Sequence, residues 1–191
     1  MYNYFRRQPN TSWLGLISKF VFVNRIPTAH FAEFIDFFPP LEPPFSLLPD
    51  ISQIPYTPVP LPSVLLDAFI LPFEGEETDE FTEYIPYARI AGKHDYHALV
   101  YWKAGVMQYE FILATYSKDG KLLSHAIIGG IRSDDNGILH SVAVINKDMS
   151  ITIAEGVAAE NDNYDLDQTN TYQMSIQPTG QITYGINEED K

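Results

Sequence analysis

VMQYEFILATYSKDGKLLSHAIIGGI, residues 106–131, decides the architecture. Its first half is rich in Tyr, Phe, Ile and Thr, the residues that suit a pleated, partly buried surface. Asp119-Gly120 then gives the strongest short-range hairpin signal, because glycine takes a positive φ at no steric cost. Residues 121–131 are therefore the returning strand. Their Gly129-Gly130 pair, with no side chains to pack, marks a bulge or a close backbone approach. Upstream, HDYHALVYWK (94–103) reads as a strand that turns at Ala104-Gly105. Downstream, RSDDNG (132–137) is dense in turn formers, and strands follow at 138–146, 150–156, 171–177 and 181–186. Almost all the links are of hairpin length. Such links join antiparallel neighbours, since a parallel crossover needs a dozen or more residues. The expected fold class is α+β, an antiparallel β-meander of about seven strands with N-terminal helices packed on one face. YIPYARI (84–90) is expected to enter the same sheet as an edge strand, where Pro86 can be tolerated.

The N-terminal third has a different texture. Trp13, Leu16, Ile17, Phe20 and Val21 fall on one helical stripe begun by Thr11 or Ser12. Arg6-Arg7 ahead of this apolar run resembles a secretory signal, but Lys19 interrupts it and no small-residue cleavage site follows, so a packed helix is the reading preferred. Thr28 is placed as the N-cap of a second helix carrying Phe31, Phe34, Ile35 and Phe38, stopped by Pro39-Pro40. Its phenylalanine face suits docking on the sheet; a ligand or partner groove is the alternative. Nine prolines between residues 39 and 62 exclude a helix or a central strand there. Interleaved Phe45, Leu47, Leu48, Ile51, Ile54 and Val59 point to a strap along the domain surface rather than a free linker or PxxP ligand. Ser63 is expected to cap a short helix ending near Pro72. Residues 1–72 thus form a helical and proline-rich extension on the sheet of 84–191, the two making one compact domain.

Charge narrows the range of partners. The 191 residues carry 25 acids against 12 Lys and Arg, a formal net charge of −13. Nucleic acid and anionic membrane surfaces are disfavoured, because neutralising phosphates needs clustered bases. The absence of cysteine removes disulfides, thiolate ligands and Cys nucleophiles. Six of the acids lie in 74–83 and five in 155–167, with no base in either stretch. Both segments read as solvated loops. Glu74, Glu76, Glu77, Asp79, Glu80 and Glu83, with Asp162, Asp165 and Asp167, are the residues marked for contact with a partner. The carboxylates at Glu160, Asp162, Asp165 and Asp167 do not follow EF-hand spacing and lack its glycine.

No catalytic constellation stands out. His94 and His97 are three apart in a predicted strand and face opposite ways. His125 and His140 fall on two arms of one hairpin but are offset along it. Ser124 beside His125 lacks the Gly-x-Ser-x-Gly elbow. No catalytic residue, metal ligand or cofactor is assigned.

ALVYWKAGVMQYEFILATYSKDGKLLSHAIIGG, then SVAVINKDMSITI and TYQMSIQPTGQIT, with PPFSL upstream, resemble a group of small bacterial β-meander proteins without assigned function. The shared features are a TYxxxGK-type hairpin, an IxKDLxI-type hairpin and a closing hairpin, which carry fold rather than catalysis. Some small acidic proteins of this general kind are immunity proteins that neutralise a toxin by binding it. Two readings stand beside each other. The first is a non-catalytic, cytoplasmic protein-binding module, of immunity type, facing a toxin or other protein with a basic surface. The second is a small-molecule binder or enzyme whose Tyr96, Tyr101, Trp102, Tyr109 and Tyr116 line a pocket between sheet and helices.

Overall fold

The computed structural model describes residues 28–49, 59–74, 81–106, 108–134, 137–157 and 169–185. α1 (Thr28–Asp36) buries Phe31, Phe34 and Ile35, and Phe38 just past its end is buried with them. The proline-rich run contributes two short strands, β1 (Pro40–Leu41) and β2 (Phe45–Leu47). α2 (Ser63–Phe69) follows, with Pro62 rather than Ser63 in the cap position and no side-chain cap. There the Pro62 carbonyl accepts the amides of Leu65 and Leu66. Then come β3 (Glu83–Ile90), β4 (Tyr96–Gly105), β5 (Gln108–Ser117), β6 (Leu122–Asp134), β7 (Gly137–Ile145), β8 (Ser150–Val157), β9 (Asn170–Ile176) and β10 (Ile182–Tyr184). The helix expected over 11–23 and the strap residues 51–58 lie outside the described residues. Among the described residues no helix is long and apolar enough to cross a membrane.

β3 to β10 pair in sequential antiparallel order, as the turn spacing implies. The expected count of about seven is too low, because ten strands among the described residues join the sheet. β1 and β2, two and three residues long, are too short for any hydrophobic periodicity to register. β1 also runs parallel to β3, with Pro40 opposite Arg89 and Leu41 opposite Ile90. Its link to β3 runs through α2, long enough to permit a parallel neighbour.

The meander curls around one core. Ala98, Val100 and Trp102 of β4 and Phe111 and Leu113 of β5 share a buried cluster with Ala143 and Ile145 of β7, Ile151 and Ile153 of β8, and Met174 and Ile176 of β9. Strands four or five places apart in the sheet can share a core only if the sheet coils back on itself. Thr115 Oγ1 donates to Gly180 O at 2.6 Å and Gln181 Nε2 to Leu123 O at 2.9 Å, tying the β9–β10 turn back to β5 and β6. The opposite faces of β4 and β5 carry Leu99, Tyr101, Ile112, Ala114 and Tyr116, which pack with Phe31, Phe34, Phe38, Leu65 and Phe69 of the helical layer. Both helices therefore lie on one face, as expected. Double-sided burial explains why β4 and β5 read as near-continuous apolar runs.

The coil turns at β6. Register slips between Phe111 and Ile112 of β5, leaving Ile128 as the extra residue, fully buried in the core. Gly129 and Gly130 follow. Gly130 has φ +132°, and a Cβ there would lie 2.0 Å from Tyr109 O. The glycine pair thus marks both a bulge and a close backbone approach, as its sequence suggests. β6 pairs with β7 only over Gly130 to Asp134, so Ala143 to Ile145 of β7 have a free edge, and β2 takes it. Leu47 of β2 is completely buried as a result.

Candidate binding surface

Each reversal of a meander delivers the chain to the opposite end of its sheet, so the connections alternate between two ends. The β3–β4, β5–β6, β7–β8 and β9–β10 turns share one end. Contacts agree: Lys118 Nζ donates to Tyr96 O at 3.4 Å, and Gly180 lies against Tyr96 and Leu123. Lys93, His94 and Lys147 line an open pocket of about 360 Å³ there, beside Glu42. Of the described lysines and arginines, Arg89, Lys93, Lys118, Lys121 and Lys147 belong to this end.

The other end holds the start of β3, the β4–β5 and β6–β7 turns and the β8–β9 connection. The described flanks of both acidic segments lie there. Glu83 stands exposed at the first position of β3, and Glu155 lies near the last of β8. Glu76, Glu77, Asp79 and Glu80, and likewise Asp162, Asp165 and Asp167, lie outside the described residues. Their described neighbours, Glu74 and Phe81 for the first group and Val157 and Thr169 for the second, are all at this end.

The two remaining described bases are each taken by an acid. Lys103 Nζ donates to Glu74 Oε2 at 2.7 Å, and Tyr101 OH donates to Glu74 Oε1 at 2.6 Å. Glu74 therefore departs from the expected solvated loop: its side chain is 8 % exposed and its charge is compensated by Lys103. The sheet position of Lys103 explains the difference, because a distant strand supplies the base that the local sequence lacks. Burial and the Glu74 charge together raise the Tyr101 pKa far above its ordinary value. Tyr116, whose hydroxyl donates to Phe69 O at 2.6 Å, is raised for the same two reasons.

Arg132 Nη2 meets Glu155 Oε1 at 3.0 Å, a partly exposed pair worth at most about 1 kcal/mol. That pair lies on a pocket of about 300 Å³ lined also by Glu110, the backbone of Gly129 and Gly130, Ser141, Tyr172 and Tyr184. The bare glycines open its floor. Burial, then the charge of Glu155, raises the Tyr172 pKa, while Arg132 acts the other way. Nothing in the local sequence pattern marks this pocket except Gly129-Gly130.

The other sequence candidates are dispersed. His94 stacks on Tyr96 at 5.0 Å, and His97 meets the Phe31 ring edge-on at 5.7 Å. His125 of β6 lies opposite Ala114, and His140 of β7 lies opposite Ile131, near the other end of β6. Ser124 is paired with Thr115. The five aromatic residues expected to line one pocket do not share a face. Tyr96 and Trp102 enter the core of the curled sheet, Tyr101 and Tyr116 enter the helical layer, and Tyr109 is 44 % exposed, stacked on Trp102 at 6.0 Å. Strand parity separates odd from even positions on β4. Comparison with family models, with curated proteins and with solved structures returned no match.

Proposed function

We propose that the protein is a non-catalytic interaction module that engages a protein with a basic surface through the end of the sheet where β3 begins and β8 ends. One observation carries this reading: strand parity brings the flanks of two base-free acidic segments to the same end, while most described bases collect at the other. Like charges gathered at one end repel one another, and a complementary surface offsets that cost while steering encounter. An immunity-type inhibitor covering the basic substrate cleft of a toxin is one concrete form of such a module.

The test uses association kinetics at low and high salt with the protein partner recovered from the source cells. Changing Glu76, Glu77, Asp79 and Glu80 together to Lys is expected to slow association and flatten its salt dependence without unfolding the chain. Identical kinetics for the two proteins would remove the 74–83 segment from the interface.

A further inference from the structure

We propose that the pocket between the glycine pair of β6 and the tyrosines of β9 and β10 receives a cationic side chain, a lysine or arginine, from the partner. This rests on the reading that the partner surface is basic. The pocket's size, about 300 Å³, sits at the lower end of the range for small ligand sites, which suits one long side chain rather than a cofactor.

Its chemistry selects charge. Two carboxylates, Glu110 and Glu155, line it against the single guanidinium of Arg132, so the lining carries one formal negative charge. An anion would meet that excess, whereas a cation neutralises it. Arg132 engages Glu155 through Oε1, and a carboxylate offers about four acceptor sites, so the same group can accept further N–H donors. The Arg132 side chain is half exposed while that of Glu155 is 17 % exposed, so the base sits at the rim and the acid deeper. Glu110 is buried as well. Tyr172 and Tyr184 add two ring faces, and a cation over such a face gains about 0.5–1 kcal/mol at exposed sites and more when desolvated. Tyr184 is 68 % exposed, so its ring is accessible to an entering side chain. Gly129 and Gly130 supply the room, since neither places a side chain in the floor.

The pocket also lies at the acidic end: Glu155 is followed within a few residues by the segment bearing Asp162, Asp165 and Asp167. Long-range attraction would bring a basic surface here, and the pocket would then fix its register.

The experiment is an NMR titration of the full chain with N-acetyl-arginine methylamide and N-acetyl-lysine methylamide, with N-acetyl-glutamate as the anionic control. Saturable shifts of the Gly129, Gly130, Ser141 and Tyr172 amides are expected with the two cations and not with the control. Glu155→Gln and Tyr184→Ala should each weaken cation binding about tenfold, and Val64→Ala, on the exposed side of α2, should leave it within about twofold. Glu155→Gln keeps the side chain's size, so folding is preserved; Tyr184→Ala alters an exposed ring. No saturable shift at these amides, or an equal response to the glutamate probe, would overturn the pocket assignment. That outcome is separate from failure of the broader reading, which would show as salt-independent association kinetics whatever the titration gives.

Discussion

Lys103 Nζ lies 2.7 Å from Glu74 Oε2, and fewer than a tenth of either side chain's surface is exposed. A residue from the edge of an acidic run is thereby fastened to β4, one strand in from β3. Removing one member of a buried pair leaves the other charge uncompensated. Lys103→Ala should therefore lower unfolding stability by about 3 kcal/mol, measured by urea denaturation. The double change Lys103→Met with Glu74→Gln should recover most of that loss. A single-variant cost below about 1 kcal/mol would mean that the Glu74 carboxylate reaches water once Lys103 is gone.

Phe34 is fully buried, 4.8 Å from Phe69 and 5.1 Å from Phe38 between ring centroids. Phe34→Ala should cost about 4 kcal/mol, the range for truncating a packed aromatic. Val64→Ala, on the exposed side of α2, should change stability by no more than about 0.5 kcal/mol. Thermal or chemical unfolding of the two variants decides whether the helical layer is part of the cooperative unit. Equal small effects would detach it.

Gly130 and Gly105 provide a paired test of the corner in β6. Alanine at Gly130 meets both a positive φ and a carbonyl oxygen 2.0 Å away, so a loss of about 3 kcal/mol or more is expected. Alanine at Gly105 meets Gln108 at 3.4 Å and Thr82 at 3.8 Å, ordinary contacts, and should cost less than about 1 kcal/mol. Comparable midpoints for the two variants would show that the corner relaxes without Gly130.

Alkaline pH should unfold the protein through its buried tyrosines. Tyr101 and Tyr116 both have pKa values raised by burial first and by the Glu74 charge next. The folded state thus favours the neutral phenol, while an unfolded tyrosine ionises near pH 10. Their contribution is complete below that value and is lost as pH rises above it, since only the unfolded chain then releases the protons. Ultraviolet titration should show these two rings ionising together with unfolding. Tyr101→Phe should shift the alkaline midpoint upward relative to its own stability at neutral pH.

The strand run from Tyr84 onward was legible because each turn is written locally: Asp119-Gly120, residues 132–137 and Pro178-Thr179-Gly180 punctuate alternating apolar residues. Gly129-Gly130 likewise announced its bulge. Three features are not local. Pairing of Phe45 to Leu47 with β7 depends on an edge that β6 vacates far along the chain. Lys103 cancels the charge of Glu74 from a position 29 residues away. The pocket beside Arg132 gathers residues from six strands, β5 to β10, and no spacing along the sequence brings them together. Parity put the described flanks of the two acidic segments at one end, and that follows from the number of strands between them, which the sequence does display.

The pairing of β2 with β7 has a consequence for synthesis. Phe45 to Leu47 leave the ribosome about a hundred residues before their partners Ala143 to Ile145. Throughout that interval Leu47 has no pocket to enter, and the backbone amides of the strap have no ladder to join. Contacts of such sequence separation form late and slow the completion of a fold. A nascent chain halted before residue 137 would carry the helical layer and half the meander, with β2 still unplaced.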